Sequence, residues 1–295
     1  MPTSSRLLPF ALLALVSLSR SVPAVADAVT LEAFDADWAR RAEGASGGRA
    51  SEAVAARLVA KARSAVAAQP SSLGFRWRLM RAIYFQGEHA TEGTEAKRAV
   101  FEQGKRLGEE TLDLLRREAG AAAGKDLSRA DSVDLVPFLK GRADVAECLL
   151  WSGINWGKWA LVFGKTAAAR QGAAGKIRDD ATAAIRLDPA LEEGGGYRVL
   201  GRLHHQTPSI PFVTGWASRD EALKNLRLAV EKGPRNFVNR LYLAEATWDY
   251  EKGRRAEARK AVEALVADTP TAALVVEDAR AQEDARALLA AWAGK

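Results

Sequence analysis

An interval of four, three and five residues recurs four times in this chain, and it leaves few folds open. Leu58, Ala62, Ala65 and Pro70 form one copy, and Ile177, Ala181, Ala184 and Pro189 a second. Ala222, Leu226, Ala229 and Pro234 follow, then Ala258, Val262, Leu265 and Pro270. Steps of four and three place three small or apolar side chains on one helical stripe. A proline five residues later cannot continue the helix, so it marks a turn. Four such units predict amphipathic helices that bury their stripes only against neighbours. Composition agrees, because alanine is abundant while isoleucine and threonine are sparse. One cysteine excludes an internal disulfide framework and any multi-thiolate metal site. Three histidines leave no material for a histidine-rich site.

The N-terminus has its own signature. Arg6 precedes the apolar run Leu7 to Leu18, and Ala24-Val25-Ala26 stands just before Asp27. That order predicts a secretory signal peptide over residues 1–26, cleaved after Ala26. The apolar run is shorter than the roughly 20 residues a spanning helix needs, and no later stretch is long and apolar enough. Losing Arg6 and Arg20 lowers the formal charge from +6 to +4. The expected product is a periplasmic or secreted protein whose residues 27–295 form one all-α repeat domain. No cysteine lies near the exit to accept a lipid.

The prolines at 189, 234 and 270 are spaced close to a 34-residue period with small insertions. Tyr197, Leu200 and Gly201, then Leu243 and Ala244, stand where that period places an aromatic or apolar residue and a small one, and Trp77 holds the aromatic place in an early unit. On these residues the chain resembles the tetratricopeptide repeat family in degenerate form. The expectation is an α-solenoid of about five helical pairs, near 31–69, 73–119, 137–187, 194–232 and 237–268, plus a capping helix near 273–292. Residues Gly120 to Asp134 read as a long loop and Gly194 to Gly196 as a break. Ser218-x-x-Glu221 supplies a capping box. Val275, Ala279, Leu288 and Trp292 would seat the cap.

A narrower similarity covers residues 50–270. Gly196-Tyr197-Arg198, the insertion Thr207 to Gly215 with Pro208-x-x-Pro211, then Asn236, Asn239 and Leu243-Ala244-Glu245 carry it, with Leu150-Trp151 and Asn155-Trp156-Gly157 upstream. This string is similar to the T component associated with TRAP transporters, a periplasmic helical-repeat family. The resemblance implies a periplasmic solenoid that associates with other proteins, among them a substrate-binding transporter subunit. Members of that family often carry a lipid anchor, for which this chain has no acceptor cysteine.

In such repeats the first helix of each pair lines the inner face. Carried over on Tyr197 and Trp151, that frame gives a groove of Trp156, Trp159, Arg198, Arg202 and His205. Indole faces offer apolar area, and guanidinium groups grip carboxylates by paired hydrogen bonds, a pairing that suits a small anionic amphipathic ligand or an acidic peptide segment. The alternative is that the tryptophans pack between helices and the arginines pair with Glu192 or Glu193. His204 and His205 point about 100° apart on a helix and cannot chelate one ion. Cys148, in an apolar helical setting, reads as a core thiol. Lys252, Arg254, Arg255, Arg259 and Lys260, interspersed with Glu251 and Glu257, read as a solvated helix face. No cofactor, metal or nucleic acid is expected, and no catalytic motif appears. Self-association stays open. An envelope scaffold without a ligand site is the rival reading, and an unrecognised hydrolase the third.

Overall fold

A computed structural model describes residues 29–208 and 214–294. The signal-peptide region and most of the Pro-x-x-Pro insertion lie outside the described residues. Within them the chain is all-helical, with thirteen α-helices and no strand. These are α1 (Leu31–Ala39), α2 (Glu52–Ala68), α3 (Leu73–Phe85), α4 (Thr94–Ala123), α5 (Ser132–Leu139), α6 (Val145–Phe163) and α7 (Lys165–Arg170). They continue with α8 (Ala173–Leu187), α9 (Leu191–Gln206), α10 (Arg219–Lys232), α11 (Phe237–Tyr250), α12 (Arg255–Ala267) and α13 (Val275–Trp292). A π-helical turn, Gln86–Ala90, extends α3.

Local chemistry sets many of the helix ends. The side chains of Thr30, Ser51, Ser72, Ser218 and Asn236 each accept from the backbone N–H three residues on. The repeated prolines fall just beyond α2, α8, α10 and α12. All twelve stripe residues ahead of them are buried. At Ser218 only half of the expected capping box forms. Glu221 N donates to Ser218 Oγ at 3.3 Å, but it is His204 Nδ1 that accepts from Ser218 N, at 3.2 Å.

Helices α3, α6, α9, α11 and α13 meet one another in that order, while α2 packs on α3, α4 and α8 on α6, α10 on α9 and α12 on α11. Each stripe is buried in these contacts. At Gly201 of α9 the approach is close enough that a β-carbon would stand 2.7 Å from Leu226 Cγ on α10. Several expected bounds move. Helix α4 runs on through Ala121-Ala122-Ala123 until Gly124 adopts a left-handed conformation (φ +62°), and α5 starts at Ser132, so the loop is only 124–131. The third pair is α6 with α8, and begins at Val145 rather than at 137.

The last helix departs most from expectation. Of the expected seat, Trp292 is buried and Leu288 half-buried, but Val275 is 40% exposed, and Val276, Ala281 and Ala285 are buried instead. The physical reason is that α13 packs on two sides. Trp292 stacks on Trp248 of α11 with centroids 4.1 Å apart. Val276 enters a cluster with Ala50, Ala55, Phe85 and Ala90 from the first pairs. Arg41 Nε donates to Glu277 Oε1 at 2.8 Å, and its Nη2 donates to the Ala273 carbonyl. Gly48 N donates to Glu283 Oε1 at 2.9 Å. The succession of pairs therefore closes on itself.

Asp180 of α8 is 3% exposed, and burial pushes its carboxyl up to about 6, outweighing hydrogen bonds from Ser152 and Ser132. The folded chain thus holds this proton more tightly than the unfolded one. The sign follows: the contribution is neutral below about pH 4, and stability is lost as pH rises to about 6, by about 3 kcal/mol in all. Asp180→Asn should raise the melting temperature at pH 7 and flatten its dependence between pH 4 and 6. Thermal melts followed by circular dichroism would read this, and an unchanged slope would contradict it.

Candidate functional site

Helix α9 opens with an unusual turn. Glu192 (φ +49°), Glu193 (φ +55°) and Gly194 (φ +80°) are all left-handed. For residues bearing a β-carbon this costs about 1–2 kcal/mol each, so the surroundings must hold it. Asn239 Nδ2 donates to the Glu193 carbonyl at 2.9 Å, Asn236 Nδ2 to Glu193 Oε2 at 2.8 Å, and Arg198 Nη1 to the Glu192 carbonyl at 3.3 Å. The break expected at Gly194 to Gly196 lies two residues earlier.

Arg198, Arg202 and His205 are brought together on the face of α9 that meets α11. Arg198 Nη1 also donates to Asn239 Oδ1 at 2.8 Å. Arg202 Nη1 donates to Glu245 Oε2 at 2.6 Å and sits 4.2 Å above the Tyr242 ring. It also lies 3.2 Å from His205 Nδ1, which therefore accepts, leaving His205 Nε2–H to donate to Asp249 Oδ2 at 2.9 Å. His204 turns away to Ser218 and lies edge-on to Trp216. His205, Glu245 and Asp249 have ligand atoms within 4.8 Å of one another, a spacing a cation could use. Arg202 already supplies the positive charge there.

Trp156 and Trp159 do not join this face. They are 2% and 1% exposed, in a cluster with Phe101, Ala173 and Ile177. Trp159 Nε1 donates to Glu102 Oε2 at 2.5 Å, and Lys105 Nζ lies 5.1 and 4.9 Å from the two ring centroids. The carried-over frame is one residue off on α6, and one residue is 100° of helix. Trp151 and Lys158 lie on the side of α6 toward Tyr84 and Glu88 instead.

Those two reveal a second cluster that the sequence reading missed. Tyr84 lies 5.5 Å from the Trp151 ring. Lys158 Nζ is 2.7 Å from Glu88 Oε2. Burial alone would raise the Glu88 carboxyl, but the Lys158 ammonium overrides it and holds the group at about 2. Lys158 itself is held above its ordinary range by Glu88, against burial. Burial also raises the Tyr84 hydroxyl, which feels Lys158, Glu88, Tyr242 and Arg198. Side chains from α3, α6, α9 and α11, with Glu88 of the π-helical turn, thus lie within electrostatic reach of one another. One turn before Tyr84, Arg81 lies 4.1 Å over Trp38 and 4.6 Å over Trp77, with Asp35 at 3.6 Å and Glu192 at 4.0 Å. Burial pushes its guanidinium down to about 10. Arg81 Nε, Trp151 Nε1, His89 Nε2 and Glu277 Oε2 are buried without a hydrogen-bond partner. A frame extended from Trp77 would place Arg78 inward, and only contacts with α1 and α9 pick out Arg81.

Elsewhere Cys148 is a buried thiol whose Sγ lies 3.5 Å from the Leu73 carbonyl, and burial raises its pKa. Arg254 pairs with Glu251 and Glu257, and Arg259 with Glu263, on the exposed face expected of them. Compared with known proteins, the chain matches no family model and no curated sequence.

Proposed function

We propose that this chain is an exported, periplasmic binding protein built as a tetratricopeptide-like α-solenoid. Its specific form is that of a T component of the TRAP-transporter kind, which docks a solute-binding subunit and holds a small amphipathic anion. The observation that carries the binding reading is the inner layer, where charged and aromatic side chains of α3, α6, α9 and α11 converge around unpaired buried polar atoms. Such groups stay unpaired in a native protein when water or a ligand completes them. Export rests on residues 1–26, and the transporter link on the Gly196-Tyr197-Arg198 string.

Affinity capture from an envelope extract tests the docking half. A solute-binding subunit is the expected partner, and its yield should fall for Arg202→Ala, since Arg202 keeps 29% of its side chain open between the two helices. Recovery of cell-wall or outer-membrane proteins alone would remove the transporter link. One observation favours the rival scaffold: Arg198, Arg202 and His205 each already have an intramolecular partner.

A further inference from the structure

Where α13 closes on the first pairs it leaves a cavity of about 360 Å³. Its walls come from the loop before α2, the π-helical turn, the start of α4 and α13. Gly48 ties three of these together. Its N–H donates to Glu283 Oε1 at 2.9 Å, and its carbonyl accepts from His89 Nδ1 at 3.3 Å. A β-carbon on Gly48 would stand 2.6 Å from Arg280 Cα, so glycine is what lets α13 come this near.

Two gaps of opposite kind line this cavity. A carbonyl can only accept, so His89 carries its hydrogen on Nδ1. Burial lowers the His89 pKa and keeps the ring neutral at pH 7, which leaves Nε2 a bare acceptor. The residue is 5% exposed, and Nε2 has no hydrogen-bond partner. Glu283 Oε2 is little better served, 3.9 Å from Arg280 Nη1. These two acceptors lack donors. Donors without acceptors stand in the same cavity. Helix α4 starts at Gly93 (φ +76°) with no side-chain cap, so its first-turn N–H groups are open. Lys97, in that turn, has no ion pair among the described residues.

The charges balance. Arg49, Lys97 and Arg280 line the cavity against Glu88, Glu92 and Glu283. Behind them Lys158 pairs with Glu88, Asp284 with Arg280, and Arg41 with Glu277. Glu52 and Glu95 are exposed partners of Arg49 and Arg98. The surroundings therefore stay within one charge of neutral. A ligand with net charge gains little here, whereas one carrying both signs fills both gaps.

We propose that this cavity binds a small amino-acid zwitterion, its ammonium donating to His89 Nε2 and Glu283 Oε2 and its carboxylate accepting from Lys97 and the first turn of α4. An ammonium is all donor and a carboxylate all acceptor, so each end meets the gap that lacks it. The site is separate from the α9–α11 face and needs neither export nor a transporter partner.

A thermal-shift screen of the full-length chain tests it, with the twenty α-amino acids, β-alanine and 4-aminobutyrate as probes, followed by calorimetry on the strongest. At least one should raise the melting temperature. Acetylating its ammonium, or converting its carboxylate to the amide, should each weaken binding about tenfold or more, the range of a charged hydrogen bond. Lys97→Met touches no ion pair, so it should keep the melting temperature of the free chain and lose about tenfold in affinity. His89→Asn keeps an N–H for the Gly48 carbonyl and removes the Nε2 acceptor, and it should lose several-fold. No shift with any probe, a blocked derivative that binds as well as its parent, or affinity unchanged by Lys97→Met would overturn the site.

Discussion

Replacing Arg41 with alanine is expected to cost about 3–5 kcal/mol and to detach the last helix from the first pairs. Arg41 has a side chain 8% exposed, against 17% for its partner Glu277. Its guanidinium also bonds the Ala273 carbonyl and lies 4.8 Å over the Trp38 ring. Without it Glu277 becomes a buried carboxylate with neither oxygen satisfied, since Oε2 already has no partner. Glu277→Gln removes the charge as well, so it should be the milder change, and combining the two should cost less than their sum. Urea denaturation gives the magnitude, and amide hydrogen exchange gives the place. Protection should fall first along Val275–Trp292. If exchange in that helix is as slow in Arg41→Ala as in the parent, the closing contact does not hold in solution.

The second large effect is at Gly201, where two general expectations have opposite signs. Helix propensity alone says that Gly201→Ala should stabilise α9 by about 1 kcal/mol. Packing says the reverse, because the new β-carbon would stand 2.7 Å from Leu226 Cγ and 3.0 Å from the Leu226 backbone nitrogen. A backbone atom cannot swing aside as a side-chain tip can, so packing should win. We expect a net loss of about 1–3 kcal/mol for Gly201→Ala and more for Gly201→Val. Leu226→Ala in the Gly201→Val background should recover part of it, since Cγ and Cδ2 are two of the three close atoms. Chemical denaturation of the three variants beside the parent settles the sign. A stabilising Gly201→Ala would mean that α9 and α10 lie farther apart.

What was readable in the sequence had short range. The stripes on α2, α8, α10 and α12 were legible because each touches helices next to it in the chain, so a 3.6-residue period carries the whole signal. Cys148 was legible for the same reason. The contact of Arg41 with Glu277 spans 236 residues and leaves no periodic trace. The frame error on α6 has a different origin. Trp151, Trp156 and Trp159 are all apolar enough for either face, and their sorting is decided by Phe101, Glu102 and Lys105 of α4. The turn at Glu192 and Glu193 was hidden because glutamate has no preference for left-handed backbone. Its supports, Arg198, Asn236 and Asn239, were visible as a string, yet they hold main-chain carbonyls as well as a side-chain carboxylate. Of the predicted groove, Arg198, Arg202 and His205 of α9 share one face, while Trp156 and Trp159 of α6 do not join it.

The meeting of α13 with the first pairs changes how this molecule should come apart. A linear array of helical pairs frays from its ends, and each unit melts at a cost set by its immediate neighbours. Here the two ends cover each other, so neither can fray until both let go. Loss of structure then becomes a single cooperative event, and the same contact, joining residues over 200 apart, delays folding until almost the entire chain has been made.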